Sequence, residues 1–182
     1  DLDPIAKRPL LELIRAASLY GDEPKAAWKE EITRRYAKTL FRHNEWFDLH
    51  KLVKCHAGGA CKFPGLIMDV FAAALSNPTL VQHQRGQVMV DLAIFYVNQA
   101  GDYAPAIALL DAAVKIAPRD FRFNVVRAEI LVLAGSFDAA REAIDYLGSP
   151  GGWDGYFGAR RVQVAGLEKK LQEARQTANS KN

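Results

Sequence analysis

Two cysteines are the residues of this chain whose type and spacing could do chemistry. Cys55 and Cys61 flank a five-residue segment that contains Gly58 and Gly59. Because adjacent glycines seldom persist inside a helix, the segment is predicted to be an exposed loop, where free thiols are a liability. A bridge across so short a loop would stabilise the fold by about 2 kcal/mol. We therefore expect a Cys55–Cys61 disulfide and an oxidising compartment, with two free thiols as the cytosolic alternative.

The same segment offers a second set of potential ligands, for zinc. The candidates are Cys55, His56 and Cys61, with His50 or His43 as a fourth ligand. Their spacing matches no usual structural zinc pattern, and the adjacent side chains of Cys55 and His56 diverge. We therefore expect no metal site.

Enzyme motifs are missing from the sequence. It contains no G-x-S-x-G, no H-E-x-x-H, no P-loop and no G-x-G-x-x-G. Catalytic groups need only meet in space, so missing motifs do not exclude catalysis. On balance we expect a chain that is not an enzyme and that holds no cofactor.

Composition and charge narrow the class of protein further. Hydrophobic residues make up 49% of the 182 residues and charged residues 25%, a profile typical of a globular protein. No apolar run, residues 70–75 included, is long enough to span a bilayer, and the sequence shows no stretch with the pattern of a signal-peptide h-region. The chain begins at Asp1 rather than Met, as a processed form or an excised domain would.

The net charge of +3 is too small to indicate nucleic-acid binding. The positive surplus lies between residues 29 and 62, where eight Lys or Arg face four acidic residues. The pairs Glu30/Arg34 and Glu31/Arg35 have the i,i+4 spacing of helical ion pairs. This stretch is therefore interpreted as a solvated helix face, with an anionic partner as the alternative.

Apolar residues recur at helical spacing almost throughout the chain, and no convincing strand pattern occurs. Helices are predicted over residues 8–20, 64–75 and 80–100, with two more between residues 24 and 54. The sequence therefore predicts an all-α fold.

A 34-residue repeat is the most specific signal in the sequence. Gly101-Asp102-Tyr103 and Gly135-Ser136-Phe137 are 34 residues apart. Each aromatic residue is followed at fixed spacing by a small and then a larger apolar residue: Ala106 and Leu110 in the first unit, Ala140 and Ile144 in the second. Small residues let two antiparallel helices approach closely, and larger ones fill the space around them.

In this pattern, residues 87–147 resemble two units of the tetratricopeptide repeat family. The resemblance implies antiparallel helical hairpins, each with a helix A and a helix B, stacked as a short right-handed solenoid. Asn124 and Arg127 occupy places that are usually apolar in the family, so we expect a looser or partly exposed interface in the second unit.

We predict a single domain over residues 1–182. It comprises N-terminal helices and the two-cysteine loop (1–63), a connecting helix (64–86), the two repeat units (87–147) and a capping helix (153–177). A degenerate further unit that begins near Glu30 is an alternative for part of the N-terminal region.

The resemblance also implies a function, because helix A of each unit in the family faces a peptide or protein partner. Carried over, the expected binding groove consists of Asp91, Phe95, Asn98, Arg122, Val125 and Glu129, flanked by Val88, Gln99, Val132 and Leu133. Phe95 and Arg122 are the residue types that most often dominate binding energy. Alternatively, Phe95, Val132 and Leu133 only pack against neighbouring helices. The set lacks the Lys and Asn cluster of chaperone-binding members, so no chaperone-tail clamp is expected.

A second resemblance points to another role. Residues 46–50, the two-cysteine loop and residues 71–78 are similar to the extracytoplasmic tails of bacterial O-antigen ligases and polymerases. This implies a domain that positions or regulates a membrane-embedded region of the same protein. It also implies a periplasmic or other extracytoplasmic location, with a cytoplasmic one as the alternative.

Overall fold

The described part of the chain folds into helices. A computed structural model of the protein describes residues 68, 71–72, 74–78, 80–149 and 157–180. The helices within these ranges are α1 (Gln82–Ala100), α2 (Tyr103–Ile116), α3 (Phe121–Leu133), α4 (Phe137–Gly148) and α5 (Phe157–Asn179). No strand occurs among the described residues, and the predicted all-α class is confirmed.

Several predictions concern residues outside the described ranges. They are the helices before residue 64, the further unit near Glu30, the basic stretch between residues 29 and 62, and the Cys55–Cys61 disulfide. The division into a single domain also stays a prediction.

The turn between helix A and helix B contains a glycine in both repeat units. Gly101 ends α1 with φ 62°, and Gly135 follows α3 with φ 74°. In this left-handed region a side chain would be strained, so glycine is the suitable residue. The amide of Asp102 donates back to the Tyr96 carbonyl at 3.4 Å, and that of Ser136 donates to the Leu131 carbonyl at 3.0 Å. These bonds end each helix A and turn the chain into helix B.

Polar side chains define the start of α3. Asp120 accepts a 3.1 Å hydrogen bond from the amide of Phe123 and so caps the helix. The sequence Pro118-Arg119-Asp120 predicts this start, because proline ends the preceding helix and aspartate is a good N-cap. The Asn124 amide donates to the carbonyls of Pro118 and Asp120, each at 2.8 Å. Asn124 is only 3% exposed. The expectation of a partly exposed interface is therefore wrong at Asn124, because its side chain satisfies carbonyls of the preceding turn while it is buried.

The small residues of the repeat lie where the helices of each hairpin meet. Ala106 and Ala140 are both fully buried. Ala106 belongs to a core cluster between α1, α2 and α3, which also includes Val90, Leu110 and Phe123. A second cluster joins α3, α4 and α5 through residues such as Ile144, Leu147 and Leu171. Helix α3 contributes to both clusters, so the two stacked hairpins have a continuous apolar interior, the arrangement expected of a helical solenoid.

Helix α5 covers the end of the second hairpin. It spans Phe157–Asn179, compared with the predicted 153–177. Its buried residues Leu167 and Leu171 face α3 and α4, while most of its other side chains are exposed and polar. Such a helix shields the apolar edge of an array, which is the predicted capping role. None of the helices in the described ranges combines the length and apolar character needed to cross a membrane.

Candidate functional site

Three helices, α1, α3 and α5, run side by side in the same direction and form one face of the molecule. Contacts between α3 and α5 advance together along both helices, from Arg160 over the Phe121 ring at 4.7 Å to Lys170 beside Glu129. We call this surface the helix-A face, since α1 and α3 are the A helices of the two units. Its N-terminal and C-terminal halves differ in structure.

The C-terminal half of the helix-A face contains an open groove of about 670 Å³. Helix α1 contributes Ile94, Val97 and Asn98 to its walls. Helix α3 supplies most of the floor, through Val126, Glu129, Ile130, Val132 and Leu133. Helix α5 contributes Lys170, Glu173, Ala174 and Thr177. The volume lies in the usual range of ligand sites, and apolar residues form more than half of the lining.

Leu133 is the most exposed apolar residue of this groove. It is 62% exposed at the end of α3, whereas the neighbouring Val132 is buried. A large aliphatic side chain left in water gains free energy when a partner covers it. The groove therefore has both a sheltered floor and a side chain available to a partner.

Each charged residue of the groove has an oppositely charged neighbour. Lys170 Nζ donates to Glu129 Oε1 at 3.0 Å across the groove, which links α5 to α3. Glu173 lies 3.8 Å from Lys169, one helical turn earlier on α5. Both pairs are well exposed, so their contribution to folding is small. Each of the two groove carboxylates, Glu129 and Glu173, thus has a lysine beside it.

The N-terminal half of the helix-A face is closed by close packing and a buried ion pair. An added Cβ at Gly86 of α1 would lie 2.6 Å from Cε2 of Phe123 in α3, so only glycine allows this approach. Next to it, Arg122 Nη2 donates to Asp91 Oδ1 at 2.5 Å. The Asp91 side chain is 3% exposed and that of Arg122 is 41% exposed. These contacts hold α1 and α3 together.

The predicted groove residues are thus divided between the two halves. Asn98 and Glu129 line the groove, as do the flanking Val132 and Leu133. Asp91 and Arg122 are brought together, but as an ion pair between helices. Whether any of these residues contacts a partner stays a prediction.

Phe95 and Val125 lie in packed positions. Phe95 is 3% exposed, and its ring centroid lies 5.9 Å from that of Phe71 in the preceding helical segment. Val125 is partly buried and packs against the second core cluster. The flanking Val88 is buried as well. In this structure Phe95 has the packing role that the sequence left open as the alternative.

The wall supplied by α5 was missed by sequence reasoning, which treated this helix only as a cap. A signal was available, because the 34-residue period extended past Ala140 would place another helix A after residue 155. In that register, however, helix A would end near residue 168, so the period alone would not have placed Lys170, Ala174 and Thr177 beside α3. In its position beside α3, α5 resembles a further helix A as well as a cap.

Metal-binding clusters are not found within the described residues, where no three His, Cys, Asp or Glu side chains could hold an ion together. The zinc alternative of the sequence analysis involves Cys55, His56 and Cys61, which lie outside those residues.

Comparison with known proteins supports the repeat assignment. A family model described as tetratricopeptide repeat matches residues 88–148. No curated protein and no solved structure matches the chain. The similarity to O-antigen ligases and polymerases is therefore without support, and it remains a prediction together with the extracytoplasmic location.

The match coincides with the two hairpins of the structure. It begins within α1 and ends at the last residue of α4. Repeats of this kind generally mediate protein–protein interactions or scaffolding, and they typically are not enzymes. Residues 88–148 of this chain are therefore a segment of tetratricopeptide repeats.

Proposed function

We propose that this protein is an interaction or scaffold domain that binds a segment of a partner protein in the groove between α1, α3 and α5. The observation that carries the proposal is the open, mainly apolar groove with Leu133 exposed at its edge. Apolar surface that is sheltered on three sides and accessible on the fourth is the usual form of a binding site.

The closed half of the helix-A face is the less suitable site. Asp91 is buried and already paired with Arg122, and a partner would have to break this pair to reach Asp91. Breaking a buried ion pair costs more free energy than most single contacts with a partner contribute. We therefore expect the groove around Leu133, rather than Phe95 and Arg122, to supply most of the binding energy.

Two substitutions of similar character test the proposal. Leu133→Asp places a charge at the groove, whereas Val162→Asp places one on α5 at a side chain that is 73% exposed and does not line the groove. Both side chains are exposed, so both variants should keep the parent's helical circular dichroism and melting temperature.

Partners would first be isolated from native extract with the parent protein, then purified and titrated against each variant. We expect Leu133→Asp to weaken binding at least tenfold, because it replaces an apolar contact with a charge that the partner would have to desolvate, and Val162→Asp to bind like the parent. Equal affinity of the parent and Leu133→Asp would contradict the proposal.

A further inference from the structure

We infer that the groove takes an uncharged, apolar helical segment of its partner rather than a charged tail. The inference rests on the proposed function and specifies the chemistry of the ligand. Two independent features of the groove carry it: the pairing of its charged residues and the helical nature of all its walls.

The first feature concerns charge. Lys170 is the one Lys or Arg in the groove lining, and its ammonium group is held by Glu129 at 3.0 Å. A carboxylate on the partner would have to compete with Glu129 for this ammonium, and it would also face the like charge of Glu173. A cation on the partner would have to compete with Lys170 for Glu129 and with Lys169 for Glu173. An uncharged segment leaves both ion pairs of the groove intact, so it is the complementary ligand.

The second feature concerns the partner's backbone. The groove is walled by α1, α3 and α5, whose central amides and carbonyls are bonded within their own helices. No sheet edge exists among the described residues, so an extended partner would find no backbone ladder in the groove. Its buried N–H and C=O groups would lack partners, which is costly. A helix satisfies these groups internally and can lie in an apolar groove.

The size of the groove fits two turns of such a helix. On α3 the lining extends from Val126 to Leu133, and on α5 from Lys170 to Thr177. Each span has a length of roughly 11 Å at 1.5 Å per residue. A helix of this length presents apolar side chains at positions i, i+3 or i+4, and i+7 to the floor.

The probes for the test are three fluorescein-labelled peptides, titrated by anisotropy against the full chain. The first is a blocked 14-residue peptide of Ala, Gln and Leu with Leu at positions 3, 6, 7 and 10. The second has the same composition with Leu at every second position. The third carries four acidic residues and a free terminal carboxylate.

We expect the first peptide to bind at least tenfold tighter than either of the others, and Leu133→Asp to remove this difference while Val162→Asp keeps it. Its affinity should change less than about twofold between 50 and 500 mM NaCl, because no net ion pair forms. Tightest binding of the acidic peptide, a steep loss with salt, or no preference for the first peptide would overturn the inference.

The outcome can be separated from that of the proposed function. If the natural partner loses affinity for Leu133→Asp while the first peptide shows no preference, the groove is the binding site and only the ligand chemistry is wrong. If Leu133→Asp affects neither the natural partner nor the peptide, the groove itself is excluded.

Discussion

The two halves of the helix-A face are built from the same three helices, but one is closely packed and the other is open. In the N-terminal half, Gly86 lets α1 approach Phe123 of α3, and Arg122 is paired with the buried Asp91. In the C-terminal half, α1, α3 and α5 leave a groove of about 670 Å³ with Leu133 exposed. The comparison indicates that one half determines how the repeats stack and that the other is left available for a partner.

The ion pairs of the two halves also differ in how exposed they are. The pair in the closed half has a carboxylate that is 3% exposed, and both pairs near the groove are well exposed. A buried charge must keep its partner for the protein to stay folded, whereas an exposed ion pair contributes little to folding stability. Substitutions in the closed half should therefore change stability, and substitutions in the open half should change binding.

The largest loss of stability is expected for Arg122→Ala. It removes the guanidinium paired with the buried Asp91 and should lower the free energy of unfolding by about 2–3 kcal/mol, less than for a fully buried pair because Arg122 is half exposed. Arg141→Ala removes an exposed i,i+4 pair with Asp145 and should change stability by less than about 0.5 kcal/mol. Urea denaturation measures both, and equal stability of the two variants would show that the closed half is not held by this pair.

Gly86→Ala should have the next largest effect. The new methyl group would meet the Phe123 ring, which is fully buried and stacked on His83 with centroids 5.5 Å apart. Overpacking should outweigh the better helix propensity of Ala and cost about 1–2 kcal/mol. Gly166→Ala is the matched control, since nothing lies within 4 Å of the added Cβ. Thermal melts should show the control stabilised by up to about 1 kcal/mol, and a stabilised Gly86→Ala would disprove the close approach.

The smallest effect on stability is expected at the open half. Lys170→Ala removes the ion pair with Glu129 and should change the free energy of unfolding by less than about 0.5 kcal/mol. A loss above 1.5 kcal/mol in urea denaturation would mean that the pair is structural, and the groove would then resemble the closed half.

The sequence predicted the parts of the fold that depend on local chemistry and on a fixed period. Glycines in the turns, a capping Asp120 and small residues at the helix contacts each act within one hairpin, so a single sequence reveals them. The period of 34 residues then determines how one hairpin stacks on the next.

The groove was harder to predict, because it depends on contacts between units. Phe95 has the type and position of a binding residue, but Phe71 of the preceding segment covers it. Arg122 is also a residue type that is common in binding sites, but it is paired with Asp91, 31 residues earlier in the chain. Family positions identify which residues lie on the helix-A face, but only the packing of neighbouring helices shows which of them remain accessible.

The division of the helix-A face is tested most directly by measuring stability and partner affinity on the same two variants, Arg122→Ala and Leu133→Asp. Urea denaturation gives the free energy of unfolding, and titration with the purified partner, at a temperature where both variants are folded, gives the affinity. We predict that Arg122→Ala is less stable by about 2–3 kcal/mol and binds within threefold of the parent. We predict that Leu133→Asp keeps its stability within about 0.5 kcal/mol and binds at least tenfold more weakly. The reverse result, a stable Arg122→Ala that no longer binds and a Leu133→Asp that binds like the parent, would contradict the account.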